Sequence, residues 1–317
     1  MKYTLVTTAK NEAPYFLEWV AYHRMIGFDR IMIYQNDSDD LTDETLKVLQ
    51  GIGAIDYFFN RAKTGAHQVR AYKRASRQAA FRKADWVIAL DMDEFLTIHA
   101  GRGDLDDLIA ALPATDAVLL NWRRFGNNRQ TRIEDGLVVQ RFRSAEPDRR
   151  ITDWLTPFKT LFRPSHYGRC GIHQPRDPQV DEATIRTVNG SGLPEGEFER
   201  FRFRAKDPQC RSLAQINHYI TRDAASFVLK SNKGSAHQAN RGIDESYWKR
   251  RNFNDERDNR LARRADDIQA AMEGLDAQSG GRLSALRTEA LALHRERFET
   301  LMGDPAYRAL YDFCRAP

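Results

Sequence analysis

The sequence predicts an α/β protein in which a mixed, mostly parallel sheet carries helices on both faces, followed by a C-terminal helical appendage. Strand and helix patterns alternate strictly over about the first ninety residues, which is typical of parallel strands joined by right-handed crossovers. A bounded apolar run, residues 86–90, ends abruptly in the sequence Asp-Met-Asp-Glu. From about Asp223 onward the pattern is helical, with Leu283, Leu286 and Leu293 on one helix face.

Length and composition limit the classes of protein. The 317 residues are 41% hydrophobic, so one large domain with an appendage, or two domains, is expected. No apolar run approaches the roughly 18 residues that span a bilayer, and the N-terminus enters a strand pattern without a signal-peptide core. Three widely separated cysteines, Cys170, Cys210 and Cys314, fit a reducing compartment. We therefore expect a cytoplasmic protein.

The net charge is +5, and part of the basic excess is local, as in Arg123-Arg124 and Arg149-Arg150. One interpretation is a solvated surface, and the other is attraction to phosphate-bearing ligands or an anionic membrane. Nucleic acid is disfavoured as a partner, because no recognised binding motif accompanies the charge. Peripheral association with the inner face of an anionic membrane is therefore a candidate property.

The elements of the first half follow in order. Strand patterns occupy residues 3–8, 30–34, 54–59 and 86–90. Pro14 and Gly27 bracket the first helix, with proline near its start and glycine past its end. Further helices are expected at about 41–50 and about 67–83. Neither a G-x-G-x-x-G nor a G-K-[ST] motif follows a strand, which disfavours dinucleotide-binding and P-loop proteins.

The second half is less regular. Strand patterns recur at residues 116–122, 136–142, 158–163 and 213–219. Residues 175–210 are rich in proline, glycine and charge, which suggests a long surface loop. We divide the chain into a domain of residues 1–235, with halves 1–103 and 104–235, and a helical region of residues 236–317.

Two aspartates follow the fourth strand. In an open α/β sheet, ligands bind outside the carboxyl ends of the strands. In an extended chain Asp91 and Asp93 would project to the same side and could hold one divalent cation. Carboxylates select Mn²⁺ or Mg²⁺, which neutralise the charge on a leaving diphosphate. The alternative is that the carboxylates only cap the following segment.

Several motifs occur in a familiar order. They are Thr8-Ala9-Lys10-Asn11-Glu12, Tyr34-Gln35-Asn36-Asp37, Asp91-Met92-Asp93-Glu94-Phe95, Asn121-Trp122-Arg123-Arg124, Lys159-Thr160-Leu161-Phe162-Arg163, Gly171-Ile172-His173 and Asn217-His218-Tyr219. This order resembles the family-2-like glycosyltransferases of the GT-A fold, in a branch close to glycosyltransferase family 92. The resemblance covers about residues 3–235. Two departures are the absent Asp-Asp-Gly-Ser turn and the absent Glu-Asp pair that supplies the base in many family-2 enzymes.

The resemblance implies a metal-dependent, inverting glycosyltransferase of polysaccharide biosynthesis with a Rossmann-like sheet. It would move a sugar from a nucleotide-sugar donor, with UDP-sugars favoured, to a hydroxyl of a glycan or glycolipid. Residues 1–103 would bind the donor and residues 104–235 the acceptor. The expected ligands of Mn²⁺ or Mg²⁺ are Asp91, Asp93 and His218. The expected donor-binding residues are Thr8, Asn11, Glu12, Asn36, Asp37, Arg74, Lys159 and Lys230.

The sequence offers more than one candidate for the catalytic base and for the acceptor contacts. Glu94 and Asp153 are candidate bases, because one follows the metal motif and the other precedes a later strand. Trp122, Phe125 and His173 are candidate acceptor contacts, although buried aromatic residues more often belong to a core. A nucleotidyltransferase acting on sugar phosphates and a non-catalytic glycan-binding protein stay open as alternatives. The former would normally show a glycine-rich phosphate loop near the N-terminus.

Overall fold

The computed structural model describes residues 1–61, 67–147, 156–206, 210–233 and 242–316. The strands in these ranges are β1 (Tyr3–Ala9), β2 (Arg30–Gln35), β3 (Asp56–Phe59), β4 (Trp86–Ala89), β5 (Glu94–Ile98), β6 (Ala117–Arg124), β7 (Ser144–Ala145), β8 (Thr156–Phe162), β9 (Tyr167–Arg169), β10 (Arg176–Pro178), β11 (Thr187–Asn189), β12 (Glu199–Phe201), β13 (Arg204–Lys206), β14 (Ala214–His218) and β15 (Glu256–Arg257). The helices are α1 (Phe16–Met25), α2 (Thr42–Gly51), α3 (His67–Ala75), α4 (Ala79–Arg82), α5 (Leu105–Ala111), α6 (Val138–Arg141), α7 (Ala224–Lys233), α8 (Glu245–Lys249), α9 (Ala265–Gln278), α10 (Arg282–Leu301) and α11 (Pro305–Arg315).

The main path of the sheet runs in the order β3-β2-β1-β4-β8-β6-β14-β5. The first four strands are parallel to one another, as the strand-helix alternation predicts. Strand β8 is antiparallel to β4 and β6, β14 is parallel to β6, and β5 is antiparallel to β14. Four of the seven neighbouring pairs on this path are therefore parallel, which confirms the mixed, mostly parallel sheet.

Helices cover both faces of the sheet. Tyr3 and Leu5 of β1 lie in a core cluster with residues of α1, α2, α5 and α9. Val6 of the same strand lies in a second cluster with residues of α3 and α4. Successive side chains of a strand point to opposite faces, and this accounts for the two clusters. The predicted covering of both faces is confirmed.

The C-terminal helices pack onto the same core. Ile268, Met272 and Leu275 of α9 recur at helical spacing and are buried in the cluster that contains α1. Helix α10 contacts α2 and α7. His294 of α10 hydrogen-bonds to the buried Asp40 at 2.8 Å. The division of the chain at residue 235 stays a prediction, and no described helix is long and apolar enough to cross a membrane.

Two sequence-based assignments in the second half are wrong. Residues 136–142, predicted as a strand, contain the short helix α6, because the carboxylate of Glu18 accepts the N–H groups of Val138 and Val139 at 2.8 and 3.2 Å. Residues 175–206, predicted as a loop, contain the strands β10 to β13. Strand β11 pairs in parallel with β6, so backbone hydrogen bonds attach part of this charged segment to the main sheet.

Three polar side chains of α1 hold β5 in place. The indole N–H of Trp19 donates to the carbonyl of Glu94 at 2.9 Å, and the hydroxyl of Tyr22 donates to the carbonyl of Leu96. His23 contacts the Trp19 carbonyl through Nδ1 at 2.8 Å and accepts the Leu96 N–H at Nε2. Strand β5 begins directly after Asp93, so these bonds position the end of the aspartate motif.

The neutral, buried His23 should make stability depend on pH. Burial lowers the pKa of His23 to about 3, which the hydrogen bond to the Trp19 carbonyl only partly offsets. An unfolded histidine titrates near pH 6.5, so the unfolded state takes up a proton first as pH falls. The free energy of unfolding should be unaffected above about pH 6.5 and should then fall by up to about 1.4 kcal/mol per pH unit toward about pH 3.

Urea denaturation at about pH 7.5 and about pH 5 measures this slope. His23→Gln should reduce the slope, whatever its effect on stability at neutral pH. His166→Gln, at a partly exposed histidine, is the matched control and should not. An unchanged slope in His23→Gln would show that His23 is not the source of the acid sensitivity.

Candidate active site

A tight turn brings three carboxylates together after β4. The N–H of Glu94 donates to the carbonyl of Asp91 at 3.0 Å, and the N–H of Asp91 donates to Glu94 Oε2 at 2.9 Å. Strand β4 ends at Ala89, so the chain is not extended between the two aspartates. The expectation that Asp91 and Asp93 project to one side of an extended chain is therefore wrong. The two carboxylates have different partners.

Asp91 faces α3 and β8. Its Oδ1 accepts a hydrogen bond from Gln68 at 2.8 Å, and its Oδ2 accepts one from Lys159 at 3.0 Å. Lys159 is fully buried and also lies 3.3 Å from Glu94 Oε2. Burial opposes the charge on Lys159, but Asp91 and Glu94 outweigh it and raise the pKa of Lys159. Lys159 is thus a buried cation shared by two carboxylates. A single glutamine on a helix carries no motif, so the sequence offered no signal for Gln68.

Asp93 faces α7 and β14. Its Oδ2 accepts a hydrogen bond from Lys230 at 2.7 Å, and its Oδ1 lies 3.4 Å from His218 Nε2. Burial opposes the ionisation of Asp93, but the charge of Lys230 and the contact with His218 hold the pKa of Asp93 well below its usual range. Burial lowers the pKa of His218, and Asp93 only partly offsets this, so the imidazole is neutral at pH 7.

Asp93 lines a cleft of about 480 Å³ beyond the ends of β1 and β2. Residues 10–12, Asp37, Lys230 and Arg297 contribute to its walls. It is therefore built from the carboxyl ends of two parallel strands together with α7 and α10, where ligands of open α/β sheets bind. Arg297 of α10, which also donates to Asp39 Oδ1 at 2.8 Å, belongs to no motif.

Glu12 lies in this cleft between two cations. Its Oε2 accepts a hydrogen bond from Arg222 at 2.9 Å, and its Oε1 accepts one from Lys233 at 3.0 Å. Burial opposes the ionisation of Glu12, but Lys233 and Arg222 lower its pKa overall. Arg222 has a φ of 50° in the turn between β14 and α7, and its guanidinium lies 3.5 Å from the centre of the Tyr15 ring. Arg222 belongs to no recognised motif, so its role was not predicted.

Asn11 joins the two strand-end turns of the cleft. It has a φ of 53°, its N–H donates to Ser38 Oγ at 3.1 Å, and its Oδ1 accepts the N–H of Asp39 at 3.0 Å. Asp37 is exposed on the cleft wall. Thr8 is partly buried near the end of β1, opposite Tyr34 of β2.

Asn36 and Arg74 lie together in a second polar cluster at the end of β3. Asn36 donates to the carbonyl of Asn60 at 3.2 Å and contacts His67. Arg74 donates to the Phe59 carbonyl at 2.8 Å and to Asn60 Oδ1 at 3.3 Å. Neither residue lines the cleft at Asp93, and neither do Thr8 and Lys159, whereas the other predicted donor contacts, Asn11, Glu12, Asp37 and Lys230, line it.

The position of Glu94 does not suit a general base. Its side chain is fully buried, and its Oε2 is used by Lys159 and the Asp91 N–H. Burial raises the pKa of Glu94 well above its usual range, which Lys159 only partly offsets. A base must lie within hydrogen-bond reach of the proton that it abstracts. The other candidate, Asp153, lies outside the described residues.

Trp122, one of the three candidate acceptor contacts, packs against His218 and against a second candidate, His173. The Trp122 ring meets the His218 ring edge-on at 4.2 Å, and its centre is 5.5 Å from that of His173. Phe125 is 1% exposed and packs 4.7 Å from the Tyr219 ring. The prediction that Phe125 contacts the acceptor is wrong, because its ring is enclosed in the core.

Asp93 and His218 suit one divalent ion. The 3.4 Å between Asp93 Oδ1 and His218 Nε2 can be bridged by an ion about 2.1 Å from each atom. Carboxylate oxygens and a neutral imidazole are ligands that Mn²⁺ accepts. Within the described ranges, no three His, Cys, Asp or Glu side chains already surround one point. Asp91 would therefore have to turn away from Lys159 to join the pair.

Residues 6–193 match the family model described as glycosyltransferase family 92, which is more than half of the chain. The chain belongs to glycosyltransferase family 92. A family 92 protein of Ricinus communis is 32% identical over 100 residues, covering 31% of this chain and 17% of that protein. One of Oryza sativa subsp. japonica is 28% identical over 150 residues, covering 45% and 25%. The matched stretches thus span a quarter or less of these relatives' own lengths.

Among solved structures, Staphylococcus aureus TarS 1–349 is 14% identical, with a TM-score of 0.37 over 96% of this chain and 91% of that chain. TarS in complex with UDP gives 18% identity and a TM-score of 0.33 over 52% and 47%. Family 92 membership and the observed sheet order confirm the GT-A type of fold.

Removing the buried cation should destabilise the protein. Lys159→Met leaves Glu94 buried without its partner, which should lower the free energy of unfolding by about 3–5 kcal/mol in urea denaturation. Lys159→Met combined with Glu94→Gln should recover much of this loss, because neither charge is then buried alone. Lys47→Met, at an exposed lysine paired with Asp43, is the matched control and should change little. Full stability of Lys159→Met would contradict the shared-cation role.

Proposed function

We propose that the protein is a metal-dependent, inverting glycosyltransferase. It moves a sugar from a nucleotide-sugar donor, with UDP-sugars favoured, to a hydroxyl of a glycan or glycolipid. The observation that carries the proposal is the Asp91-x-Asp93 turn at the end of β4, in a chain of family 92. Asp93 lines a cleft whose walls also include the cations Arg222, Lys230 and Lys233. The family match favours glycosyl transfer over nucleotidyl transfer.

Asp91, Asp93 and His218 are the residues that would hold Mn²⁺ or Mg²⁺. When bound, the ion supplies positive charge against the negative charge that develops on a leaving diphosphate. Asp93 pairs with Lys230 here, and an ion bound at Asp93 frees that ammonium group for a phosphate oxygen. Asp91 and Asp93 are thus assigned to the ion, and Lys230 is assigned to a phosphate oxygen of the donor.

Donor recognition is assigned to the strand-end turns. Lys233 and Arg222, which pair with Glu12, add two more cations beside the diphosphate position. Thr8, Asn11 and Asp37 are assigned to the nucleoside, as the resemblance implies. Asn36 and Arg74 form the neighbouring polar cluster at the end of β3. They are assigned to the side of the nucleoside that faces away from the diphosphate.

A non-catalytic glycan-binding protein is the alternative from another class. Two intact aspartates, each held by a lysine on a separate strand or helix, are a charge arrangement that sugar binding alone does not need. Metal-dependent release of nucleoside diphosphate from a donor would exclude this alternative. A thermal-shift screen of UDP-, GDP-, CMP- and dTDP-sugars with Mn²⁺ identifies the donor, because a ligand at a hundred times its Kd adds about 2.7 kcal/mol of stability.

Asp91→Asn and Asp93→Asn should each lower kcat/KM by at least about 100-fold, since each removes one anionic ligand of the ion. Nucleotide release from the identified donor measures this, and circular dichroism confirms folding. Asp106→Asn is the matched control, because Asp104-Leu105-Asp106 repeats the spacing but lies at the start of α5. Near-normal turnover in either aspartate variant would place the site elsewhere.

Peripheral contact with an anionic membrane is part of the proposal. Phe201 is 58% exposed at the tip of the β12–β13 hairpin. Arg202 closes the hairpin with a φ of 53°, and its guanidinium lies 5.3 Å from the Phe201 ring. An exposed aromatic ring flanked by Arg200 and Arg202 suits the interface of an anionic bilayer. A cytoplasmic location also stays a prediction.

Phe201→Ser with Arg202→Glu should weaken co-sedimentation with phosphatidylglycerol vesicles by about tenfold or more, since it removes an interfacial ring and reverses a charge. Phe59→Ser with Arg61→Glu is the matched control, because Phe59 is 40% exposed and has the Arg61 guanidinium 5.7 Å from its ring. Equal losses in both variants, or equal binding to neutral phosphatidylcholine vesicles, would contradict a specific membrane-facing hairpin.

A further inference from the structure

Transfer to a hydroxyl requires a group that accepts its proton. Glu94 is enclosed, and the aspartates are assigned to the ion. A base for this reaction therefore has to be sought among side chains that carry a free lone pair, are partly exposed, and lie next to the aspartate turn. Within the described ranges, His173 meets these three conditions.

Hydrogen bonding fixes the tautomer of His173. Its Nδ1 lies 2.9 Å from the carbonyl oxygen of Phe158. A carbonyl oxygen only accepts, so Nδ1 carries the hydrogen and donates it, which leaves the lone pair on Nε2. No described residue forms a hydrogen bond with this Nε2. The hydroxyl of Thr160 donates to the His173 carbonyl at 2.8 Å, so the backbone of this residue is also anchored to β8.

Strand β8 links His173 to the aspartate turn. Phe158, which holds the imidazole through its carbonyl, is followed directly by Lys159, which bonds Asp91 through its side chain. Phe203 stacks on the imidazole, with ring centres 4.6 Å apart and planes inclined by 14°. Trp122 packs against His173 on one side and His218 on the other. The ring is thus held at a defined place on the Asp91 and Lys159 side of the aspartate turn.

Burial keeps the His173 imidazole neutral. Burial lowers the pKa of His173 to about 4, and the positive charge of Lys159 acts in the same direction. The Phe158 carbonyl and Asp91 oppose this shift, and His218 adds to it. At pH 7 the imidazole is therefore unprotonated and able to accept a proton.

We infer that His173 is the general base of the proposed transfer, an inference that rests on the proposed function. The acceptor hydroxyl oxygen forms a bond to the anomeric carbon of the donor sugar, and the bond from that carbon to the diphosphate oxygen breaks. The bonding electron pair leaves with the diphosphate. The hydroxyl proton moves to Nε2 of His173, which becomes an imidazolium that still donates from Nδ1 to Phe158.

The test compares His173→Ala and His173→Asn with the wild type. Nucleotide release from UDP-glucose and UDP-galactose is measured with Mn²⁺ and with p-nitrophenyl glycosides as acceptors. Turnover should fall by about 100-fold or more in both variants, while the Kd for UDP stays within about twofold. Asparagine can still donate to the Phe158 carbonyl, so His173→Asn remains informative if His173→Ala does not fold. His166→Ala is the matched control for the loss of a nearby histidine.

Added imidazole distinguishes a base from a structural residue. It should restore turnover in His173→Ala in proportion to its unprotonated concentration, and should not affect His166→Ala or Asp93→Asn. Normal turnover in His173→Asn, or lost turnover that imidazole does not restore, would overturn the assignment. Loss of activity in Asp153→Asn with normal activity in His173→Asn would transfer the role to Asp153. A wild-type protein that releases no nucleotide from any donor of the panel would instead refute the proposed function.

Discussion

The arrangement of the site depends on the neutralisation of three carboxylates that the chain places within four residues. Asp91 and Glu94 share the buried Lys159, and Asp93 pairs with Lys230. Carboxylates this close, of which Glu94 is fully buried, are tolerated only with cations beside them. Strand β8 supplies one lysine and α7 the other, so both elements have to reach the end of β4. The pairing of β8 with β4 brings Lys159 to the carboxylates that follow β4.

Much of the first half could be predicted from the sequence, because its signals are local. Pro14 and Gly27 bracket a helix, and the apolar run before Asp91 is bounded on both sides. The turn at residues 91–94 could not be predicted, because the same residues would suit a continuing strand. Gln68 and Arg222 also escaped prediction, since their partners Asp91 and Glu12 are far away in the chain. Contacts between residues this far apart in sequence depend on the folded topology and produce no pattern in the sequence.

The C-terminal helices complete the cleft from outside the part of the chain that matches the family. That match ends at residue 193, whereas His294 and Arg297 of α10 bond the turn that follows β2. The buried pair of His294 with Asp40 also supports the segment before α1, because Asp40 accepts the N–H of Ala13 at 3.1 Å. One wall of the cleft is therefore built by α10, which lies outside the segment that matches the family.

The antiparallel pairing of β5 with β14 places Glu94 directly opposite His218. A one-residue slip would reverse the facing of every side chain in a strand, so the buried register is strongly fixed. The separation of Asp93 from His218 is consequently set by this backbone ladder and is independent of the length of chain between the two strands. A change of length in the loops between these two strands should therefore leave the distance between Asp93 and His218 unchanged.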